Sequence, residues 1–390
     1  MITTKKKSFF LVLSLLMVLS ACGGGDDTST TETVEVAEEP AETLDSPATT
    51  AAPAPEEKKL KVGLVVGALG DRSFMDSAKR GFDMAVADLP IEGDFIEAEE
   101  AERAQAYANF IADGKDLIIG ISFSEAGRIL EAAQANPDIQ FAIVDMVVTD
   151  ADGNLVPNVA NIVFKEHEGS FEVGYIAAKL SKTGKVAFMG GMDVPIIRKF
   201  QTGWEEGALY ANPDVEFCTG YAGSWGDPAK GKEIGLSCFE DGADVIFAAG
   251  GATGDGAYEA AAETGNYAVG VDSNQDYIQP GTMITSMMKG VDKSVYKVIQ
   301  DTIAADGQVF TSIDSYGLAE NFVGATWIVD ETNLFSETGP ADMVAQIPAL
   351  LEEVKEVRAK IISGEIVAVS YTHLRAHETR HDLVCRLLLE

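Results

Sequence analysis

Short apolar runs alternate with longer segments of helical period from about residue 59 to residue 369. Gly and Asp bound the short runs, which is typical of buried strands, whereas the longer segments have the length of helices. The predicted strands lie near 60–66, 116–122, 139–145, 185–191, 244–250 and 267–272. The predicted helices fill most of 73–89, 101–112, 124–135, 167–182, 196–210, 228–240, 254–264, 291–304 and 341–362. This alternation predicts βαβ units, parallel sheets and an α/β fold.

An internal repeat indicates that the fold contains two similar lobes. Residues 113–119 and 241–247 share the pattern Asp-Gly-x-Asp-apolar-Ile-apolar. Each is followed by a loop bearing Gly or Ser, a helix and a strand that ends in aspartate, at Asp145 and Asp272. Matching units of similar length predict the same supersecondary block in each half, and therefore two doubly wound lobes.

The predicted strand ends carry the residues expected to bind a ligand. In open parallel sheets, ligands lie outside the carboxyl ends of the strands. Asp145, Asp272 and the loops 67–72 and 250–256 all follow predicted strands. Two facing lobes would bring them to one cleft that closes by hinge motion. The alternative is that both aspartates only cap the loops that follow them.

The two ends of the chain differ from its body. Residues 1–21 have a basic start and a short apolar run, which predict a signal peptide rather than a membrane span. Leu-Ser-Ala before Cys22 resembles the lipobox of bacterial lipoproteins, which implies lipidation of Cys22; the alternative is an ordinary secretory signal. Residues 22–58 lack aromatic groups and predict a disordered acidic tether. Residues 370–390 hold three of the four histidines and resemble a foreign translated segment, so we assign them no function.

Charge and cysteine content exclude several classes of protein. The chain has 29 basic and 62 acidic residues, a formal charge of -33, which argues against nucleic-acid binding and against attraction to anionic headgroups. Membrane attachment would then depend on the lipid. Cys218 and Cys238 are either a disulfide, as an oxidising compartment allows, or two buried thiols. No spacing of Cys and His indicates a metal site, and we expect no cofactor.

Motifs for catalysis are also missing from the sequence. The Gly-rich segment 250–256 fits neither the dinucleotide-binding nor the phosphate-binding loop pattern. No Gly-x-Ser-x-Gly motif occurs, and His167 is the one histidine outside residues 370–390. The sequence therefore predicts a binding protein and not an enzyme.

Eight segments between about Lys61 and Ile366 resemble, in order, the basic membrane protein family. They are GDRSFMDSA (70–78), IQFAIVD (139–145), IVFKEHEGSF (162–171), GKVAFMGG (184–191), GSWGDPAK (223–230), GGATG (250–254), GVDSNQ (270–275) and TSMMK (285–289). Proteins of that family are lipid-anchored purine-nucleoside receptors of ATP-binding-cassette (ABC) importers with the type I periplasmic-binding fold. The resemblance implies a first lobe of 59–165 plus about 285–335, and a second of 166–284 plus about 336–369.

The resemblance also implies which residues bind the ligand. Phe74 and Trp225 would sandwich the base, because any purine face can stack on an aromatic ring; otherwise they only pack on their neighbours. The groups that would hold the ribose are Asp145, Asp272, Lys289 and Gly251, and the loop residues Asp71 and Ser73 belong to the same site. The chain departs from the family pattern at Met75 and in a short loop at 66–69, where the family reads the base edge.

The expected protein is thus a monomeric solute-binding lipoprotein on the extracytoplasmic face of the cell membrane. It would capture a nucleoside of the purine class and deliver it to an ABC permease. Two alternatives stay open: a ligand-sensing receptor of the same fold, or an importer subunit for another small sugar-bearing solute.

Overall fold

The computed structural model describes residues 59–309 and 311–369. The predicted signal peptide (1–21), Cys22, the acidic tether (22–58) and the segment 370–390 lie outside the described residues. The strands are β1 (Leu60–Val66), β2 (Ile91–Glu97), β3 (Leu117–Ile121), β4 (Gln140–Val144), β5 (Val159–Phe164), β6 (Lys185–Gly190), β7 (Glu216–Tyr221), β8 (Val245–Ala249), β9 (Tyr267–Asp272), β10 (Met283–Lys289), β11 (Ile313–Tyr316) and β12 (Val323–Ala325).

Helices cover the faces of these strands. They are α1 (Phe74–Asp88), α2 (Arg103–Ala112), α3 (Ala126–Ala135), α4 (Glu166–Leu180), α5 (Pro195–Ala211), α6 (Pro228–Glu240), α7 (Gly254–Thr264), α8 (Val291–Ala304), α9 (Thr326–Val329), α10 (Phe335–Thr338), α11 (Ala341–Val344) and α12 (Ile347–Ser363). No helix within the described ranges is long and apolar enough to span a bilayer.

The strands form two sheets of the same design. The first has the order β2-β1-β3-β4-β5-β11 and the second the order β7-β6-β8-β9-β10-β12. Every pairing is parallel except the antiparallel pairing of β12 with β10. The first five strands of each sheet follow the doubly wound order 2-1-3-4-5, whose ligand-binding point lies where β1 and β3 diverge. The prediction of two doubly wound α/β lobes is confirmed.

All six predicted strands are present, and four of the strands that sequence reasoning missed fall into two groups with different physical reasons. β2 and β7 are edge strands with several exposed or half-buried positions, so neither is a continuous apolar run. β5 and β10 are buried but carry polar groups whose hydrogen bonds are satisfied inside the sheet. Asn161 on β5, for example, accepts from the Val148 N–H at 2.8 Å and donates to the Ser312 carbonyl at 3.2 Å.

The predicted lobe boundaries need one correction. We expected residues from about 285 to 335 to return to the first lobe, but β10 and β12 are both hydrogen-bonded in the second sheet. The segment that does return consists of α8 and β11. Asp292 at the start of α8 lies so close to Gly81 of α1 that a Cβ there would come within 2.2 Å of the Asp292 carbonyl oxygen. No strand was predicted at 285–289, so the place of β10 in the second sheet did not enter the predicted boundary.

The chain therefore crosses between the lobes three times. The crossings follow β5, β10 and β11, and their backbones are hydrogen-bonded to one another: Lys165 N–H donates to the Tyr316 carbonyl at 2.8 Å, and Gly290 N–H to that of Phe322 at 2.6 Å. The rings of Tyr316 and Phe322 stack with centroids 4.1 Å apart. These adjacent crossings form the hinge, so it lies on the side of the sheets where β5 and β10 end.

Cys218 on β7 and Cys238 on α6 form a disulfide, with Cα atoms 5.6 Å apart. Of the two interpretations left open by the sequence, the structure has the bridged one. The bridge joins the edge strand of the second sheet to the helix that covers it, and neither cysteine lines the cavity described below.

We expect the double variant Cys218→Ser/Cys238→Ser to lose about 2–4 kcal/mol of unfolding free energy, because it removes a cross-link that shortens the unfolded chain. Denaturant unfolding would measure the loss. Reducing the parent protein should reproduce it, while ligand affinity in the folded state should stay unchanged. Equal midpoints for parent and variant would contradict a stabilising bridge.

Candidate functional site

A cavity of about 460 Å³ lies between the two sheets, at the carboxyl ends of their strands. This volume is in the range of small-molecule sites, about 300–1,000 Å³. Seven of the eight predicted ligand-binding residues line it: Asp71, Phe74, Asp145, Trp225, Gly251, Asp272 and Lys289. The structure thus brings together residues that are up to 218 positions apart in the sequence.

The eighth residue, Ser73, is buried beside the cavity and supports it. Its hydroxyl donates to Asp272 Oδ2 at 2.6 Å, a bond that joins the first lobe to the second. Asp71 lines the cavity, but its carboxylate accepts the backbone N–H groups of Ser73, Met75 and Asp76 at 2.9–3.2 Å. These bonds hold the start of α1, so Asp71 acts mainly on the shape of the loop.

Asp145 and Asp272 occupy equivalent places in the two lobes and share an unusual backbone. Asp145 follows β4 with φ of 74°, and Asp272 ends β9 with φ of 63°. Side chains other than glycine seldom adopt this left-handed conformation, although Asp and Asn tolerate it better than most. Such strained positions are found where the surrounding structure enforces them, often at binding sites. The repeat seen in the sequence therefore ends in the same local geometry twice.

Lys289 lies at the centre of a buried charge cluster. Its ammonium is 2.7 Å from Asp145 Oδ2 and 3.2 Å from Glu166 Oε1, and its side chain is 1% exposed. Lys199 reaches the other oxygen of Glu166 at 3.2 Å. Because Lys289 ends β10 in the second sheet and Asp145 follows β4 in the first, this ion pair also joins the lobes.

The charges in this cluster depend on one another. Burial disfavours the charged form of Lys289, but Asp145, Glu166 and Asp272 outweigh it and raise the pKa of the lysine. Burial raises the pKa of Asp145, and it raises that of Asp272 to about 6, although Lys289 opposes both shifts. Burial acts on Glu166 in the same direction, but Lys289 and Lys199 prevail and lower its pKa. The single buried ammonium of Lys289 thus interacts electrostatically with the carboxyl groups of Asp145, Glu166 and Asp272.

One carboxylate oxygen in this cluster is open to a further partner. Asp145 Oδ1 is buried and accepts no hydrogen bond from any group in the part of the chain that the structure describes. A buried acceptor without a donor costs about 1–3 kcal/mol. A ligand hydroxyl that donates to this oxygen would recover that free energy.

Aromatic rings line the rest of the cavity. The ring of Phe74 at the start of α1 lies 5.1 Å from the Lys289 ammonium, and that of Phe200 on α5 lies 5.5 Å from it. Trp225, in the loop after β7, is 41% exposed, although a large apolar ring is usually buried. Gly191 lets the indole lie against the backbone, since a Cβ there would come within 2.5 Å of Trp225 Cε3.

The order of the strands places these features along the cleft. In the first sheet, Asp145 follows β4, Ser122 follows β3, Gly67 follows β1 and Arg103 follows β2. Adjacent strands are about 4.8 Å apart, so the ends of β4 and β2 are separated by about 14 Å. In the second sheet the same direction runs from Lys289 on β10 to Trp225 beyond β7. Asp145 and Lys289 are therefore next to the hinge, with the rings of Phe74 and Phe200 within 5.5 Å of the ammonium, and Trp225 is at the mouth.

Several cavity residues were not found from the sequence. Phe200 comes from α5 of the second lobe, and Ser122 and Ser124 from the turn after β3. Glu166 at the start of α4 does not line the cavity but contacts Lys289, which does. Glu99, Glu100 and Arg103 follow β2, the edge strand that the apolar pattern did not predict. Among these residues, the sequence pattern could have indicated only those in the turn after β3, because a Ser-bearing loop follows a predicted strand there. Within the described ranges, no cluster of His, Cys, Asp or Glu could hold a metal ion.

Two parallel sheets of order 2-1-3-4-5, a three-strand hinge and one interlobe cavity define a type I periplasmic solute-binding protein. Residues 59–368 match the model of the ABC transporter substrate-binding protein PnrA-like family, and the chain belongs to that family. Basic membrane protein A of Borreliella burgdorferi is 33% identical over 315 residues, which are 80% of this chain and 88% of that protein. The family resemblance inferred from the sequence is confirmed.

Solved structures agree with this assignment. A solute-binding protein of an ABC transporter system from Aeropyrum pernix K1 has a TM-score of 0.68 and 27% identity, and the match covers 80% of this chain and 93% of that one. A second such protein, from Conexibacter woesei, has a TM-score of 0.62 over 80% of this chain and 99% of its own; at 21% identity it shows the fold alone.

Family membership defines the class of function. These proteins bind substrates for ABC transporters and are not enzymes. The family implies a small-molecule ligand and permease subunits as partners.

Proposed function

We propose that the protein captures a nucleoside in the cleft and delivers it to an ABC importer. The observation that carries this proposal is the division of the cavity into two chemically different ends. Hydroxyl-binding groups lie at the hinge end, where Asp145 Oδ1 lacks a donor, and the cavity extends from the ring of Phe74 beside Lys289 to the indole of Trp225 at the mouth. A nucleoside has the same division, with a hydroxylated sugar joined to a flat ring.

The sugar would lie against Asp145, Asp272 and Lys289. A carboxylate can accept from two neighbouring hydroxyls, and the buried Lys289 opposes the rise in pKa that burial causes at Asp145 and Asp272. Gly251, with φ of 57°, brings backbone rather than a side chain towards the same space. The base would then stack between Phe74 and Trp225, a contact worth about 1–3 kcal/mol per ring.

Attachment and assembly belong to the same proposal. Lipid on Cys22 would hold the protein at the extracytoplasmic face of the membrane, with residues 22–58 as the spacer, and the protein would act as a monomer. Lipidation of Cys22 can be tested by mass analysis of the N-terminal peptide from producing cells grown with and without globomycin, which blocks lipoprotein processing. An unmodified Cys22 peptide would reject the anchor but leave the binding site untouched.

Replacing Trp225 tests the stacking contact. We expect Trp225→Ala to weaken adenosine, guanosine or inosine binding by about 1–3 kcal/mol, measured by titration calorimetry. Since the side chain is 41% exposed, the unfolding free energy should change by only about 0.5 kcal/mol.

Tyr210→Ala is the matched control for this experiment. Tyr210 is 48% exposed on α5 and does not line the cavity, so its removal should leave nucleoside binding unchanged. If no nucleoside binds to the parent protein, the proposed cargo is wrong. If the parent binds and Trp225→Ala binds as tightly, the stacking role is wrong.

A further inference from the structure

Arg103 is the one cationic side chain that lines the mouth end of the described cavity. It is the first residue of α2, directly after the loop that follows β2. Its side chain is 13% exposed, so most of its surface is held inside the protein. None of the contacts discussed so far explains why a guanidinium should lie at the wall of a binding cavity.

Two of the three guanidinium nitrogens are held by partners in the protein. Nε donates to the Ala98 carbonyl at 3.2 Å, and Nη1 donates to Ser124 Oγ at 3.1 Å and to Glu125 Oε1 at 2.8 Å. Nη1 is also 3.1 Å from Oε2 of Glu100, which lines the cavity and is 64% exposed. Glu125 is 1% exposed, so this is a buried pair and its geometry is well constrained. A guanidinium held in this way is a rigid donor and not a mobile surface charge.

The other side of the guanidinium faces the cleft. Nη2 has no hydrogen-bond acceptor among the residues that the structure describes, although it carries two N–H groups. It lies against Gly67, where a Cβ would come within 2.8 Å of it, and Met75 Cε lies 3.1 Å from the same point. Phe74, Met75 and Arg103 all line the same cavity.

We infer that Arg103 Nη2 binds the outer edge of the base and selects 6-oxopurine nucleosides. This inference rests on the proposed function. With the sugar at the hinge end, the edge that points to the mouth of the cleft includes O6 and N7 of guanine or hypoxanthine. Both atoms are acceptors and match a guanidinium, whereas the 6-amino group of adenine is a donor and does not.

The test compares three ligands that differ at C6 of the purine: inosine, purine riboside and adenosine. Calorimetric titration of the whole chain should show inosine binding roughly 5- to 100-fold more tightly than the other two. Arg103→Met should abolish this preference and leave the affinity for purine riboside almost unchanged. A purely structural role for Arg103 would weaken all three ligands alike.

Arg128→Met is the matched control. Arg128 on α3 pairs with the same Glu125 oxygen at 3.5 Å, but it does not line the cavity, so the preference for inosine should persist. If Arg103→Met does not fold, Arg103→Lys keeps the charge and should reduce the preference, and the parent's own ligand series still tests the inference.

Three outcomes overturn the inference: a parent that binds adenosine as tightly as inosine, a parent that prefers uridine, or an Arg103→Met variant that still prefers inosine. Each leaves nucleoside capture standing. If none of the nucleosides binds, the proposed function itself fails.

Discussion

Lys289→Met is expected to lose about 3–5 kcal/mol of unfolding free energy and all measurable nucleoside binding. Removing one partner of a buried ion pair leaves the other charge uncompensated in a poorly solvated place. Here Asp145 and Asp272 would both lose the ammonium that opposes their burial. Chemical denaturation would measure the stability, and calorimetry the binding.

The loss should also depend on pH. Without Lys289, burial would raise the pKa of Asp145 and Asp272 further, so the folded state would hold protons that the unfolded state releases. Stability from a raised carboxyl pKa is present at acid pH and is lost as the pH rises through that pKa. The variant should therefore be closer to the parent at pH 5 than at pH 8.

Two further variants test whether the loss of stability in Lys289→Met comes from uncompensated buried charge. Lys199→Met removes a lysine that contacts the same Glu166 but is 28% exposed, and it should cost less. Lys289→Met/Asp145→Asn removes one of the stranded charges and should recover part of the stability. A Lys289→Met protein that is as stable as the parent at pH 8 would show that the cluster is not electrostatically coupled.

Arg358→Met is the second substitution with a large expected effect, again about 3–5 kcal/mol of unfolding free energy. Arg358 on α12 contacts Glu172 of α4 at 3.0 Å, and both side chains are buried. Its other nitrogen donates to the Leu318 carbonyl at 2.7 Å and to Asn321 Oδ1 at 2.6 Å. This one side chain therefore links α12 to α4 and to the crossing that follows β11.

Burial raises the pKa of Glu172 to about 7 even though Arg358 opposes the shift. Without the arginine, that pKa would rise further, so the variant should be less stable at pH 8 than at pH 6 relative to the parent. Urea unfolding at both pH values would measure this. Lys355→Met on the same helix, which breaks an exposed pair with Glu352, should change the unfolding free energy by no more than about 0.5 kcal/mol.

An Arg358→Met protein with parental stability at both pH values would contradict the stabilising role of this contact. Arg358 does not line the cavity. Any loss of ligand affinity in Arg358→Met should therefore arise indirectly, through the hinge, and be smaller than the loss in Lys289→Met.

The sequence predicted those buried strands that are continuous runs of mostly apolar residues. The runs at 116–122 and 244–250 stand out because every residue of β3 and β8 is buried. β2 was missed because its sequence, IEGDFIE, places charges on an exposed edge. A strand was therefore missed either because it lies at an exposed edge, as β2 does, or because it is buried but carries polar residues, as β10 does.

The same dependence on predicted strands explains which residues of the candidate site could be identified from the sequence. Asp145 and Asp272 could be placed in the cleft because they follow predicted strands. Arg103 could not, because the strand that brings it to the cavity was not predicted. Glu166 was also missed, since its contact with Lys289 joins residues 123 positions apart and depends on how the two lobes face each other.

The left-handed backbone at Asp145 and Asp272 restricts how the specificity of the cleft can change. Most side chains at these positions would add strain of about 1–2 kcal/mol before any lost contact is counted. Asparagine and glycine avoid most of that strain, so they are the substitutions at Asp145 and Asp272 by which specificity at the sugar end could change at the lowest cost in stability. Larger changes of cargo would then arise mainly at the mouth, where the backbone imposes no such limit on Trp225.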